Sequence, residues 1–212
     1  MTKLFTILVC ITGLLSCNSR KEEPLAFVGP KETNGEETIY HTIPKFELIN
    51  QDSDTIQNSD LAGKVYVADF FFTTCPSICP VMTNNLVKVQ RAFKDIPQFS
   101  LVSHTVNPAY DRENILKEYA AKMHADTKNW DFLTGTKEAI YNTAFYGYFA
   151  NAGQDELAPG GFLHSEYFIL VDKKGRVRSG YDSQGNAKGV YDGTNDQDVL
   201  QLINDIKTLL KE

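Results

Sequence analysis

Basic residues are scarce in this 212-residue chain. Lys and Arg number 21 against 27 Asp and Glu, which leaves a net charge of −6 and an isoelectric point near 5.3. No basic patch or stripe interrupts that balance, so nucleic acid is excluded as a partner. The apolar stretch over residues 4–15 is only 12 residues long, too short to span a bilayer as a helix. No internal repeat and no second domain are visible. Cysteine is also scarce, with four in the whole chain. What remains is ordinary for a globular protein: 42% hydrophobic, 11% aromatic and 23% charged residues.

The few cysteines sort by position. Met1-Thr2-Lys3 is a short basic start, the apolar stretch follows, and Ser16-Cys17 ends it. Residues 1–16 therefore read as a secretory signal. Leu14-Leu15-Ser16-Cys17 resembles the bacterial lipobox, although Leu15 stands where a small residue is usual. The resemblance implies cleavage before Cys17, lipid on that cysteine, and a protein anchored in the bacterial cell envelope facing the periplasm. Cys10 would be discarded with the signal and Cys17 consumed by lipid. Cys75 and Cys79 are then the only thiols of an exported domain, in an oxidising compartment where free thiols are seldom idle. Residues 17–38 are polar and read as a flexible tether. Residues 39–212 suffice for one domain with a sizeable core.

That domain is organised around residues 67–80, Val-Ala-Asp-Phe-Phe-Phe-Thr-Thr-Cys-Pro-Ser-Ile-Cys-Pro. A short aromatic and β-branched run reads as a buried strand. Pro76 and Pro80 suit a turn entering the first turn of a helix. The pair therefore sits where a strand hands over to a helix N-terminus, where backbone N–H groups favour a thiolate. Further strands are expected over 46–50, 55–56, 99–106, 130–133, 166–171 and 177–181. Helices are expected from the cysteines to about 93, with Val81, Leu86, Val89 and Phe93 as its apolar stripe, and over 111–123, with Asp111 as its cap. A third is capped by Thr136 and contains Ile140 and Phe145, and a last one covers 196–211. Residues 154–161 read as a polar loop. Strands alternating with helices imply an α/β sheet covered on both faces, made mixed by a late hairpin at Asp172-Lys173-Lys174-Gly175, with added strands in front.

This element order, with a cysteine pair after the first core strand, resembles the thioredoxin-like fold: a mixed central sheet flanked by helices, here with an N-terminal β extension. Within that fold the residues resemble the Sco/SenC family. The matches are Cys75-Pro76-Ser77-Ile78-Cys79-Pro80, Val106-Asn107-Pro108 with Asp111, Glu113, Leu116 and Tyr119, Trp130-Asp131-Phe132-Leu133-Thr134-Gly135-Thr136, and His164-Ser165 before a strand. The family pattern usually has an acidic residue at Ser77 and aspartate at Asn107. The resemblance implies a membrane-anchored protein that binds copper, as Cu(I) or Cu(II), through Cys75, Cys79 and His164. It implies a role in assembling the dinuclear copper centre of cytochrome c oxidase, with the copper-bearing oxidase subunit as partner, and a copper donor protein or a thiol reductase upstream.

The residues themselves support two chemistries. Two thiolates and an imidazole form a soft site suited to copper, and i, i+4 spacing puts both sulfurs on one face if the turn is helical. The rival is thiol–disulfide exchange, with a Cys75–Cys79 disulfide when oxidised and Asp69 as proton acceptor. Asp69 lies six residues before Cys75 on the core strand, and a buried carboxylate has a raised pKa. The metal chemistry would make the protein a metallochaperone, the exchange chemistry a thiol–disulfide reductase acting on oxidase or other periplasmic cysteines. A peroxidase of the peroxiredoxin kind needs threonine three residues before its cysteine, where this chain has Phe72. Of the other histidines, His41 precedes the core strands, His104 reads as packed in a strand and His124 as a solvated cap. Tyr146, Tyr148 and Phe149 read as core packing before a partner surface.

Overall fold

The computed structural model describes residues 24–212. The expected signal, its Cys10 and the lipidation site Cys17 lie outside the described residues. The strands are β1 (Ala26–Phe27), β2 (Lys31–Asn34), β3 (Glu37–Tyr40), β4 (Glu47–Ile49), β5 (Thr55–Gln57), β6 (Val65–Phe71), β7 (Phe99–Thr105), β8 (Trp130–Leu133), β9 (Ala152–Gln154), β10 (Phe162–His164), β11 (Tyr167–Val171), β12 (Val177–Ser179) and β13 (Tyr191–Asp192). The α-helices are α1 (Cys79–Ala92), α2 (Glu113–Lys122), α3 (Lys137–Asn142) and α4 (Asp196–Lys211).

The main sheet runs β1-β12-β11-β6-β7-β8, with β13 paired to β11. β6, β7 and β8 are parallel, whereas β11, β12 and β1 add in antiparallel fashion. Every residue of β6 and β7 is buried, as expected of strands covered on both faces. This is the mixed α/β architecture the sequence implies. α4 shows how the sequence sets an element. Asn195 accepts from the N–H groups of Gln197 and Asp198, Asp196 and Asp198 stand in the first turn, and Lys211 in the last. Cap and charges all complement the helix dipole, and Val199, Leu202, Ile206 and Leu209 enter the core. Thr136 caps α3 through the Ala139 N–H, as expected.

Several expectations are corrected. Part of the stretch read as tether is folded: Ala26 and Phe27 pair with Ser179 and Arg178, and β2 and β3 form a hairpin. Aromatic side chains hold it there. The Phe27 ring stacks on Tyr40 at 3.8 Å and lies 4.1 Å from the Arg178 guanidinium. Arg178 is itself buried, held by the Leu25 carbonyl, Asp172 and Glu212. Asp111 does not cap α2, which starts after Arg112; it turns inward instead. Val81 and Phe145 are exposed rather than inward. Phe145 follows α3 into a π-turn, Thr143–Gly147, which rotates the apolar pattern off its helical period. Tyr148 is core, while Tyr146 and Phe149 are exposed. The expected loop over 154–161 is bracketed by β9 and β10, which pair as a separate hairpin. Its strands are only three residues each, too short to show an alternating pattern.

Candidate metal and thiol site

β6 brings the chain to the C-terminal end of its parallel neighbours, and Phe72 continues it inward, fully buried. The cysteine turn follows. It is not helical: α1 starts only at Cys79, so Cys75 lies in the preceding loop and its N–H bonds back to the Phe72 carbonyl at 3.2 Å. The turn is pinned by Asp111. That carboxylate accepts from the Thr73 N–H at 3.1 Å, from the Thr73 hydroxyl, and from the Thr105 hydroxyl at 2.5 Å. Pro80 occupies the first turn of α1, where no N–H is needed. One turn on, the Thr83 hydroxyl donates to the Cys79 carbonyl at 2.9 Å and meets the Tyr119 hydroxyl at 2.8 Å.

His164 arrives from the other half of the chain, at the end of β10. Its Nε2 lies 3.3 Å from Cys79 Sγ and 3.9 Å from Cys75 Sγ. The two sulfurs and that nitrogen all lie within 4.8 Å of one another. On the far side of the ring, Nδ1 is 3.2 Å from the Ser165 carbonyl. A carbonyl only accepts, so Nδ1 carries the proton and Nε2 turns its lone pair to the sulfurs, as in a histidine prepared to ligate. Phe72 meets the His164 ring edge-on at 5.5 Å and packs on Phe162 at 5.3 Å. Gly160 closes the arrangement. Its φ is +79°, and a Cβ there would come within 2.7 Å of the Phe72 ring and 3.2 Å of Pro76. The hairpin thus rests against the cysteine turn through a backbone with no side chain.

Both cysteines are reduced, and they differ in setting. Cys75 is 9% exposed and Cys79 is sealed, so a reactant meets Cys75 first. Burial raises the Cys75 pKa, but hydrogen bonds from the Ser77 N–H and from the Cys79 thiol and N–H outweigh it and bring it to about 6. Burial pushes Cys79 far upward, reinforced by its neighbour Cys75. One thiolate beside one thiol results near neutral pH. Asp69 is fully buried beneath, and burial raises its pKa to about 7 against the opposing Ser103 hydroxyl, which donates at 2.5 Å. That hydroxyl in turn accepts from the Trp130 indole at 2.8 Å.

Cys75, Cys79 and His164 are thus brought together, and among the described residues they are the one metal-compatible His/Cys/Asp/Glu cluster. The other histidines lie elsewhere. His41 bonds the Gly147 carbonyl, His104 is buried against Phe70, and His124 is an exposed residue with φ +58° after α2. Sequence reasoning missed Asp111 as anchor of the cysteine turn, Ser103 as the partner of Asp69 with Trp130 behind it, and Gly160 as the contact glycine. Thr73, just past the end of β6, and Thr105, the last residue of β7, were the available signal for Asp111.

The SCO1/SenC family model matches residues 34–197. The SCO1 protein homolog of Bacillus subtilis is 30% identical over 176 residues, covering 80% of this chain and 83% of that protein. Among solved structures, a SCO1/SenC family lipoprotein from Bacillus anthracis aligns with a TM-score of 0.69 at 32% identity, over 80% of this chain and 95% of that one. BsSco, described as a member of the Sco family of cytochrome c oxidase assembly proteins with a disulfide switch, aligns with a TM-score of 0.67 at 28% identity, over 80% and 94%. By the length of the family match, by sequence and by fold, this chain belongs to the SCO1/SenC family.

Proposed function

We propose that this protein binds copper through Cys75, Cys79 and His164 and passes it to the copper-bearing subunit of cytochrome c oxidase, from a lipid anchor at Cys17 on the periplasmic side of the envelope. One observation carries the reading: two sulfurs and one histidine lone pair lie within 4.8 Å of one another. The donor set fits Cu(I), which thiolates select. Structural zinc takes four ligands, whereas three leave the ion open to a receiving protein. The oxidase role rests on family membership and on the described role of BsSco. The envelope location rests on the leader sequence and on the Bacillus anthracis lipoprotein. Among the described residues no helix is long and apolar enough to cross a membrane.

The test is Cu(I) competition against a chromophoric chelator, wild type beside His164→Ala. Loss of one of three ligands is expected to weaken affinity about 100-fold. Unchanged affinity sinks the reading.

Adjacent reduced sulfurs above a buried carboxylate favour a second activity of the same site, reduction of a partner's disulfide. Cys75 thiolate attacks one partner sulfur and forms a mixed disulfide. Cys79 displaces it, leaving its proton to Asp69. The partner gains two electrons and leaves as two thiolates, which take their protons from water, while the cysteines end as a Cys75–Cys79 disulfide and the Cys79 proton stays on Asp69. Disulfide reduction that survives His164→Ala but not Cys75→Ser would assign this chemistry to the pair alone.

A further inference from the structure

A cleft of about 470 Å³ opens beside the hairpin that carries His164, lined by the turn at Asn107, by Arg112 before α2, by Lys137 and Tyr141 of α3, and by Gln154 and Phe162 of β9 and β10. Its charge is unusual for this chain. The protein is net negative, yet the lining holds two cations and no carboxylate. Among the described residues Lys88, Lys117, Arg176, Arg178 and Lys188 are each paired with an acid, whereas Lys45, Arg91 and Lys122, like the two cleft cations, are not, so the distinction of the cleft is that it gathers two such cations in one concavity. Arg112 has no side-chain partner among the described residues, and Lys137 has only the Gln154 amide at 2.9 Å and the Tyr141 ring at 5.6 Å. Of the acids adjacent in sequence, Asp111 is buried and committed to Thr73 and Thr105, while Glu113 and Glu138 do not line the cleft and pair with neither cation. The Asn107 side-chain amide is likewise unengaged, since only its backbone bonds nearby groups.

We propose that this cleft binds carboxylate side chains of a docking protein, an acidic segment seated on Arg112 and Lys137. A guanidinium and an ammonium with no internal acid, flanked by amide donors, match carboxylate geometry. Both cations are exposed, which suits groups offered on another protein's surface better than an enclosed metabolite. The position gives the contact consequence. Gln154 pairs in register with Phe162, two residues before His164, and Phe162 packs on Phe72. An acidic segment bridging Arg112 and Lys137 therefore holds the hairpin against α2 and α3. The inference stands whether or not copper is the metal.

The test is an NMR titration of the ¹⁵N-labelled reduced protein with acetylated, amidated tetraglutamate, beside tetraglutamine and citrate. Saturable shifts are expected at Asn107, Arg112, Lys137 and Gln154 with tetraglutamate and none with tetraglutamine, and citrate is expected to bind more weakly than the peptide. Arg112→Gln and Lys137→Gln, both on exposed side chains, are each expected to weaken peptide binding about 10-fold or more, while Lys88→Gln leaves it unchanged. No saturable shift, or equal weakening by Lys88→Gln, overturns the site. Tighter binding of citrate than of the peptide overturns the polypeptide assignment.

Discussion

Asp69→Asn isolates the energetic cost of the carboxylate under the cysteines. Asp69 is 1% exposed, and the Ser103 hydroxyl is its hydrogen-bond donor. Burial lifts its pKa from an ordinary 3.8 to about 7. Between those two values the unfolded chain holds fewer protons at this site than the folded one, so stability falls as pH rises. At roughly 1.4 kcal/mol per pH unit the destabilisation amounts to about 4 kcal/mol, complete above pH 7 and absent below about pH 4. Asparagine keeps the shape and an acceptor for Ser103 but cannot ionise. The variant is therefore expected to gain on the wild type progressively from pH 4.5 to 8, by about 4 kcal/mol at the upper end. Urea unfolding of the reduced, metal-free proteins across that range reads the difference, and titrating groups that do not interact with Asp69 cancel between the two. Parallel pH profiles would refute the reasoning, because Asp69 would then be charged in the folded protein at no cost. A raised carboxylate also makes a group half-protonated near neutral pH, as a proton acceptor for Cys79 requires.

Three further outcomes follow from the same geometry. Asp111→Ala orphans three donors at the buried end of β6 and β7 and is expected to cost about 2–4 kcal/mol in thermal or urea unfolding. His104 is fully buried with neither ring nitrogen hydrogen-bonded, and burial lowers its pKa to about 4. The unfolded chain takes up that proton first, so stability drains as pH falls from about 6.5 to 4, and His104→Phe is expected to flatten this acid limb and to match or exceed wild-type stability at pH 7. Gly160→Ala forces a left-handed alanine into the Phe72 ring. About 1–2 kcal/mol of strain is expected in unfolding, together with a Cu(I) affinity lower than wild type in the chelator competition, because the hairpin is displaced from the cysteine turn.

The centre of the main sheet was legible because β6 and β7 are long and rich in β-branched and aromatic residues, and all seven residues of each are buried. The site was legible in part for a different reason. Cys75 and Cys79 stand out by scarcity, but nothing in the local sequence joins them to His164, and only the family resemblance did so. Among the short strands, β4, β5, β8 and β12 were legible, whereas β1, β2, β3, β9, β10 and β13 were not. β1 is recognisable only through its partner β12, and β9 and β10 only through each other. Asp111 misled because aspartate before a helix is the ordinary sign of a cap, and its diversion into the core depends on two threonines that lie 38 and 6 residues away. Phe145 and Val81 satisfied a helical period that the chain abandons at the π-turn and at the exposed start of α1.

The sulfur–imidazole contacts join residues 89 and 85 positions apart. In polymer terms, an ion shared by Cys75, Cys79 and His164 ties a long loop that runs through β7, β8 and the helices between. The closure entropy of such a loop grows only with the logarithm of its length, yet for a loop of this size it is already about 4.6 kcal/mol in the chain-entropy estimate made for a covalent link. An ion that binds only the folded arrangement also stabilises it by mass action. The loaded and empty proteins should therefore differ in how often the two halves of the chain part company. Resistance to proteolysis within that loop would then report whether the site holds an ion.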